Sequence, residues 1–250
     1  MIEDLRTLPG RTGLAALCIG LMVQAALFAS VSQPAAQAAL LLGFIGLSGI
    51  ALFVLPKRLS GSDTAGPNTP AMHLVFVGFI LVPGAALPLG LATGALPWLI
   101  WYCTAAALLI TALTIGPLLT GEGPPPLRPL QTIQLAPPAF IVTGALMTGA
   151  TTLGALALVW ATLVALGLVL RAKWMTEGGF SGFWSAFTFP VAGFAGALLL
   201  SHQAFGWEIL RIAAGVLLVA ATLYIPVIAF KVLKLWATGM LAAKTNASIA

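Results

Sequence analysis

Very few side chains in this sequence are of types that carry out acid–base chemistry or bind metals. The two histidines, His73 and His202, lie far apart, and only His202 has charged residues nearby, Glu208 and Arg211. No second His, Cys or carboxylate lies at ligand spacing from either histidine, so we expect no metal site and no cofactor. Because an enzyme needs several converging titratable groups, the sequence does not predict one. We expect both histidines in interfacial positions at the ends of apolar segments.

The composition is that of a membrane protein. Of 250 residues, 60% are hydrophobic and 7% are charged, whereas about 25% are charged in a typical soluble domain. The mean hydropathy is +1.07. Lys and Arg outnumber Asp and Glu by 11 to 6, but the excess lies in loops between apolar segments, so it does not indicate nucleic-acid binding. Cys18 and Cys103 lie inside apolar segments, which indicates no disulfide framework.

Eight apolar segments are each close to the roughly 20 residues that a helix needs to cross a bilayer. We therefore predict an all-α polytopic membrane protein with eight transmembrane helices, arranged as four hairpins in one domain over residues 1–250. The predicted spans are 12–32, 35–55, 71–91, 97–119, 133–149, 153–170, 180–200 and 209–230.

Basic residues orient this arrangement. Ten of the eleven lie on one side of the eight predicted spans, and only Arg211 lies on the other. Positively charged loops face the cytoplasm in most membrane proteins, so both termini are predicted to be cytoplasmic. We expect the protein in the cell membrane, as a multi-pass protein of a bacterial inner membrane.

Interior prolines distinguish the odd-numbered spans from the even-numbered ones. Spans two and six contain none, whereas spans three, five and seven contain Pro83 and Pro88, Pro137 and Pro138, and Pro190, respectively. Proline interrupts helical hydrogen bonding, so we predict kinked odd helices inside the bundle and straighter even helices outside. Span one, without an interior proline, and span eight, with Pro226, depart from the pattern.

Span seven is broken in its middle by Pro190. Proline has no backbone N–H and its ring crowds the carbonyl of Ala186, so the open ladder must face protein or a water-filled path. Helical spacing of 4, 3, 4 and 3 places one ring among small residues on one face: Gly182, Ala186, Phe189, Gly193 and Gly196. The other side carries Phe180, Phe183, Phe187 and Phe194. Small faces most often let helices pack closely, so a packing face and a pore wall both stay open.

The predicted spans contain no acidic residue, which is unlike proton-coupled or cation-coupled transporters. A path without fixed charge suits passive passage. The positive ends of broken helices and the hydroxyls of Thr143, Ser185 and Thr188 can steady an anion there without a buried cation.

Residues 184–190 (WSAFTFP) resemble the tellurite-resistance and dicarboxylate transporter family, which includes the plant slow anion channels, and residues 135–140 (LAPPAF) are similar to the family's seventh helix. The resemblance implies a homotrimer in which each protomer has a central pore, lined by the kinked odd helices and gated by Phe189. Small inorganic or organic anions would be the permeant species. The pore-lining residues would be Gly182, Ala186, Pro190 and Gly193 of span seven and Pro137, Phe140 and Thr143 of span five.

One departure from that family leaves an alternative open. Family members have ten helices in five hairpins, whereas this sequence supplies four hairpins, and the resemblance implies that the first one is missing. Either four hairpins form a pore, or a partner fills the gap, or the chain is a non-transporting scaffold or accessory subunit of a larger membrane complex. In the scaffold interpretation the small-residue face is a docking surface.

Overall fold

The structure is a computed structural model that describes residues 4–63, 68–91 and 94–245. Residues 1–3, 64–67, 92–93 and 246–250 of the predicted domain lie outside the described residues. Over the described ranges the regular elements are all helical, with no β-strand. The predicted all-α class is confirmed for this part of the chain.

Twelve α-helices and four 3₁₀ helices follow one another in the described residues. The α-helices are α1 Leu8–Phe28, α2 Gln33–Leu59, α3 Met72–Phe76, α4 Val82–Ala86, α5 Leu96–Thr114, α6 Gly116–Thr120, α7 Ala136–Met147, α8 Thr151–Leu170, α9 Ala172–Thr176, α10 Phe189–Phe205, α11 Glu208–Ala237 and α12 Leu241–Thr245. The 3₁₀ helices are Asp4–Arg6, Gly78–Leu81, Pro125–Leu135 and Gly182–Phe187.

Seven helical segments of the described chain are long and apolar enough to cross a membrane, so the multi-pass class is supported by length and composition. They are Leu8–Phe28, Gln33–Leu59, Leu96–Thr114, Pro125–Met147, Thr151–Leu170, Gly182–Phe205 and Glu208–Ala237. The predicted span 71–91 is not among them, because it is divided into α3, the 3₁₀ helix Gly78–Leu81 and α4. The predicted count of eight single helices is therefore not confirmed.

Proline explains where the divided segments restart. Pro83, Pro137 and Pro190 each lie in the first turn of an α-helix, where the missing N–H costs nothing and the fixed φ suits a helix. A 3₁₀ helix precedes each restart: Gly78–Leu81, Pro125–Leu135 and Gly182–Phe187. The chain thus forms tighter turns immediately before each of these prolines.

Burial separates the segments that form the centre from those that present apolar surface. In Pro125–Met147, 78% of the apolar window is buried, against 17% in Glu208–Ala237. Large apolar side chains are exposed along the outer faces of α2, α5, α8 and α11, including Leu42, Ile45, Leu109, Leu113, Leu163, Leu166, Val219 and Leu223. In a bilayer these faces would contact lipid or other protein.

Charged contacts join loops that the basic-residue pattern predicts on one membrane face. Arg11 is buried and donates two hydrogen bonds to Asp63, at 2.8 and 2.9 Å, and Arg58 is also paired with Asp63. Arg171 donates hydrogen bonds to the carbonyls of Leu118 and Leu119, at 3.1 and 2.5 Å. These contacts agree with the prediction that the joined segments lie at the same face of the membrane. That this face is the cytoplasmic one stays a prediction.

Candidate functional site

The start of α10 places an aromatic ring at the break in span seven. Gly182–Phe187 is a 3₁₀ helix, and α10 begins at Phe189 with Pro190 in its first turn. Thr188 joins the two helices, and its hydroxyl donates to the carbonyl of Ser185 at 2.7 Å. Phe189 therefore lies at the junction of a 3₁₀ helix and an α-helix, where Pro190 interrupts the backbone hydrogen bonding of a continuous helix.

Phe189 is stacked on a second ring from the centre of the bundle. Phe140 of α7 lies with its ring centroid 4.8 Å from that of Phe189, and the two planes are 20° apart. Gly193 of α10 lies directly against the Phe140 ring, since a Cβ atom at 193 would come within 2.5 Å of Cζ. The fold thus brings together three residues that the sequence analysis assigned to one site: Phe189, Phe140 and Gly193.

A large cavity of about 540 Å³ lies on one side of Phe189. Most of its wall residues come from α1, the 3₁₀ helix Gly182–Phe187, the first turn of α10 and the C-terminal helix α12, and the others come from α3, the 3₁₀ helix Pro125–Leu135, α7 and α11. Most of the side chains that line it are small or apolar, including Gly13, Ala16, Gly20, Gly182, Ala186 and Pro190. A cavity of this size can hold a small solute with several water molecules.

A second, much smaller cavity of about 20 Å³ lies close to the first. Both cavities are lined by the same five residues, Ile19, Leu74, Ile133, Ala136 and Phe189. Pro137, Phe140 and His73 line only the small cavity. Phe189 therefore lies in the wall between two cavities, and Phe140 reinforces that wall from the side of the small one.

The remaining predicted residues are placed less uniformly. Gly182, Ala186 and Pro190 line the large cavity, and Pro137 lines the small one. Thr143 lines neither, and its hydroxyl donates to the carbonyl of Ala139 at 3.3 Å. A threonine hydroxyl bonded back to its own helix offers only its lone pairs to a solute, which suits an anion poorly.

One aromatic residue is not where helical spacing placed it. The sequence put Phe183 on the face opposite the small residues, yet it is buried and lines the large cavity beside Gly182 and Ala186. The reason is that residues 182–187 form a 3₁₀ helix with about 3.0 residues per turn, which moves side chains away from the faces expected at 3.6. Phe189 is therefore not the only bulky group on this wall.

His73 is the residue that sequence reasoning missed. It was expected at an interface, but only 2% of it is exposed. Its Nε2 lies 3.0 Å from Oε1 of Gln134 and 3.4 Å from the hydroxyl of Thr111. The sequence does contain a sign of a buried polar cluster, in pairs of polar residues that lie three apart in apolar surroundings: Thr111 with Thr114 and Gln131 with Gln134. Recognising it required the pairing of segments 61 residues apart.

A comparison with protein-family models and with curated proteins finds no match. The family resemblance of residues 184–190 and 135–140 therefore stays a prediction that rests on those residues. Within the described residues no group of three or more His, Cys, Asp or Glu side chains is placed to hold a metal ion. The geometry of the two cavities and their shared wall is what bears on function.

Proposed function

We propose that the protein is an anion channel or transporter of the tellurite-resistance and slow anion channel type, with passive passage past a phenylalanine gate. The observation that carries the proposal is the position of Phe189, which lies between two cavities and stacks on Phe140 at 4.8 Å. A ring attached at a helix break can change its rotamer with little movement of either helix. Such a ring is suited to open and close a path.

The chemistry of the walls supports an anion rather than a cation. None of the residues that line the two cavities is Asp, Glu, Lys or Arg. The 17-residue helix α10 begins at the wall of the large cavity, with Phe189 and Pro190. The positive end of its dipole therefore faces the cavity, and the hydroxyl of Ser185 lies in the same wall. The hydroxyl of Thr188 donates to the carbonyl of Ser185, so it has no hydrogen left for an anion.

The proposal includes an arrangement in the membrane. The divided segments 71–91, 125–147 and 182–205 would surround the path, and the continuous helices α2, α5, α8 and α11 would face lipid and the neighbouring protomers. Both termini would be cytoplasmic in a bacterial inner membrane. Single cysteines introduced near Lys57 and near Arg171, in a chain lacking Cys18 and Cys103, should both be protected from an impermeant thiol reagent applied to intact cells.

A homotrimer is proposed as the assembly, with contacts through the exposed continuous helices. Between the 3₁₀ helix Gly182–Phe187 and α11 runs an apolar groove of about 570 Å³, lined by Phe180, Trp184, Phe187, Leu223, Val227 and Lys231 among others. The trimer predicts a single threefold mass in native mass spectrometry from mild detergent. A monomer at every concentration would contradict it.

The second candidate is a non-transporting scaffold or accessory subunit of a larger membrane complex. It is favoured by α11, of which only 17% of the apolar window is buried, because so exposed a helix can pack against another protein. Chloride and nitrate efflux from liposomes that contain the purified chain separates the two candidates. Efflux above that of empty liposomes supports the channel, whereas its absence, together with a stable hetero-complex from native membranes, supports the scaffold.

A further inference from the structure

A chain of hydrogen bonds fixes which nitrogen of His73 carries a hydrogen in the neutral ring. The hydroxyl of Thr114 donates to the carbonyl of Ile110 at 2.6 Å, so its oxygen accepts from the Gln134 amide at 2.8 Å. The other end of that amide, Oε1, faces His73 Nε2 at 3.0 Å. A carbonyl oxygen can only accept, so Nε2 donates and Nδ1 is left with a bare lone pair.

That second nitrogen is buried without a hydrogen-bond partner. His73 is 2% exposed, and its Nδ1 atom makes no hydrogen bond in the described part of the chain. Buried polar atoms are almost always satisfied, by protein or by a bound molecule. His73 lines the small cavity of about 20 Å³, together with Phe140 and Phe189. That space is enough for one water molecule or one ion of halide size.

The charges around His73 leave it without a protein counter-ion. Its hydrogen-bond partners among the described residues are Gln134 and Thr111, both neutral. The helices α1, α2 and α5 and the 3₁₀ helix Gly78–Leu81 pack against α3, and the 3₁₀ helix Pro125–Leu135 holds Gln134. The titratable residues of these five elements are Arg11, Cys18, Lys57, Arg58, Tyr102, Cys103 and Arg128. Of their charged members, Arg11 and Arg58 are paired with Asp63, and Arg128 is paired with Glu177.

We propose that Nδ1 of His73 is a binding site for one small monovalent anion in the small cavity, next to the wall that Phe189 and Phe140 form. A proton taken up from the solution by Nδ1 turns the ring into an imidazolium, whose new N–H donates to the anion that enters the small cavity with it, so that the net charge of the site stays zero. In so apolar a space the cation and the anion stabilise each other strongly, whereas either alone is costly. The inference rests on the proposed anion passage and makes that passage dependent on pH.

The direction of the pH effect follows from the protonation. The charged ring becomes more abundant as pH falls, so anion flux should rise toward acid pH, by up to about tenfold for each pH unit while the neutral ring predominates. A bound water in the small cavity would equally satisfy the lone pair of Nδ1. In that case flux would not follow the titration of this histidine.

Chloride efflux from liposomes between about pH 8 and about pH 5 tests the site. Three forms of the full chain are compared: the parent, His73→Gln, and His202→Gln as the matched control. His202 is the other histidine, and its Nδ1 lies 3.2 Å from the carbonyl of Trp207, away from both cavities. The ratio of acid to alkaline efflux within each preparation cancels the amount of folded protein, so a less stable variant can still be scored.

The expected result is a high ratio of acid to alkaline efflux for the parent and for His202→Gln. For His73→Gln the efflux at acid and at alkaline pH should be nearly equal. Equal ratios in the parent and in His73→Gln would overturn the anion site and leave the channel intact. A parent without chloride or nitrate efflux at any pH would overturn the proposed function itself, and the anion site with it. The two failures are therefore distinguishable.

Discussion

Gly193 of α10 and Phe140 of α7 are in such close contact that the glycine cannot gain a side chain without moving the ring. A Cβ atom at residue 193 would lie 2.5 Å from Cζ and 2.7 Å from Cε2 of Phe140. The same ring stacks on Phe189. The position of Phe140 is therefore set from two directions, by the bare backbone of Gly193 and by the face of Phe189.

Replacing Gly193 by Ala should destabilise the protein by about 1–3 kcal/mol, because the methyl group overpacks the site against an aromatic ring. Gly196→Ala is the matched control. Nothing lies within 4 Å of a Cβ atom at 196, so alanine there should be neutral or stabilising by about 0.5–1 kcal/mol through helix propensity. Unfolding in a denaturant titration in detergent measures both.

The same contact predicts a specific coupling. If the clash is with the ring, Gly193→Ala should cost nothing in a chain that already carries Phe140→Ala, so the two changes are strongly non-additive. Additive costs would mean that the methyl group disturbs α10 itself rather than Phe140. A double-mutant cycle of unfolding free energies decides between these outcomes.

The buried ion pair of Arg11 with Asp63 should be worth far more than an exposed one. The two side chains are 5% and 4% exposed, and Asp63→Asn leaves the buried guanidinium group of Arg11 without this charge partner, at a cost of about 3–5 kcal/mol. Glu208→Gln is the control, since Glu208 and Arg211 are 63% and 58% exposed, and solvent screens such a pair. The midpoint temperature of thermal unfolding in detergent should fall clearly for Asp63→Asn and should not change measurably for Glu208→Gln.

Local sequence was enough to place several parts of this molecule. Continuous apolar runs predict most of the long apolar helices, although not the divided segment 71–91, because a helix satisfies its own backbone. Pro190 marks the start of α10 because the restriction on proline is local. The position of Phe189 at that start follows from the same local restriction, and its role as a gate stays a prediction. Phe183 could not be placed, because the choice of a 3₁₀ over an α-helical turn depends on tertiary packing.

The polar cluster around His73 could not be predicted for a different reason. Its hydrogen bonds join α3 to Thr111, 38 residues away, and to Gln134, 61 residues away. Periodicity within one span carries no information on which helix packs beside it. A single histidine in an apolar segment has the same local sequence pattern whether it lies at a membrane interface or, as here, in the centre of the bundle.

The C-terminal helix α12 should limit access to the large cavity. Leu241 and Thr245 line the cavity, and Thr245 lies against Gly182 in close contact. A chain that ends at Met240 should therefore expose the cavity wall. A single cysteine at Ser185, which lines the cavity, should react faster with a polar thiol reagent in the shortened chain, in detergent and without Cys18 and Cys103.

A cysteine at Ser60, an exposed residue at the end of α2, serves as the control for that experiment. Its reaction rate should be the same in both chains. Equal rates at 185 in the long and short chains would show that α12 does not restrict access. Faster reaction at both positions would indicate general loosening rather than removal of a cover.

The gate itself predicts that removal of either stacked ring raises anion flux. Phe189→Ala removes the ring that both cavities share, and Phe140→Ala removes its support from the side of the small cavity. Phe194→Ala is the control on the same helix, because Phe194 is 6% exposed and lines neither cavity. That change should cost about 3–5 kcal/mol in stability and open nothing.

Chloride efflux from liposomes, normalised to folded protein, is measured for the three variants beside their unfolding free energies. A gate gives raised flux for Phe189→Ala and Phe140→Ala and unchanged flux for Phe194→Ala, although Phe194→Ala loses the most stability, since Phe189 and Phe140 are only partly buried. If flux instead followed the loss of stability across all three, leakage through a loosened bundle would explain it. If Phe189→Ala only lost stability, its ring would be a packing group between two helices and not a gate.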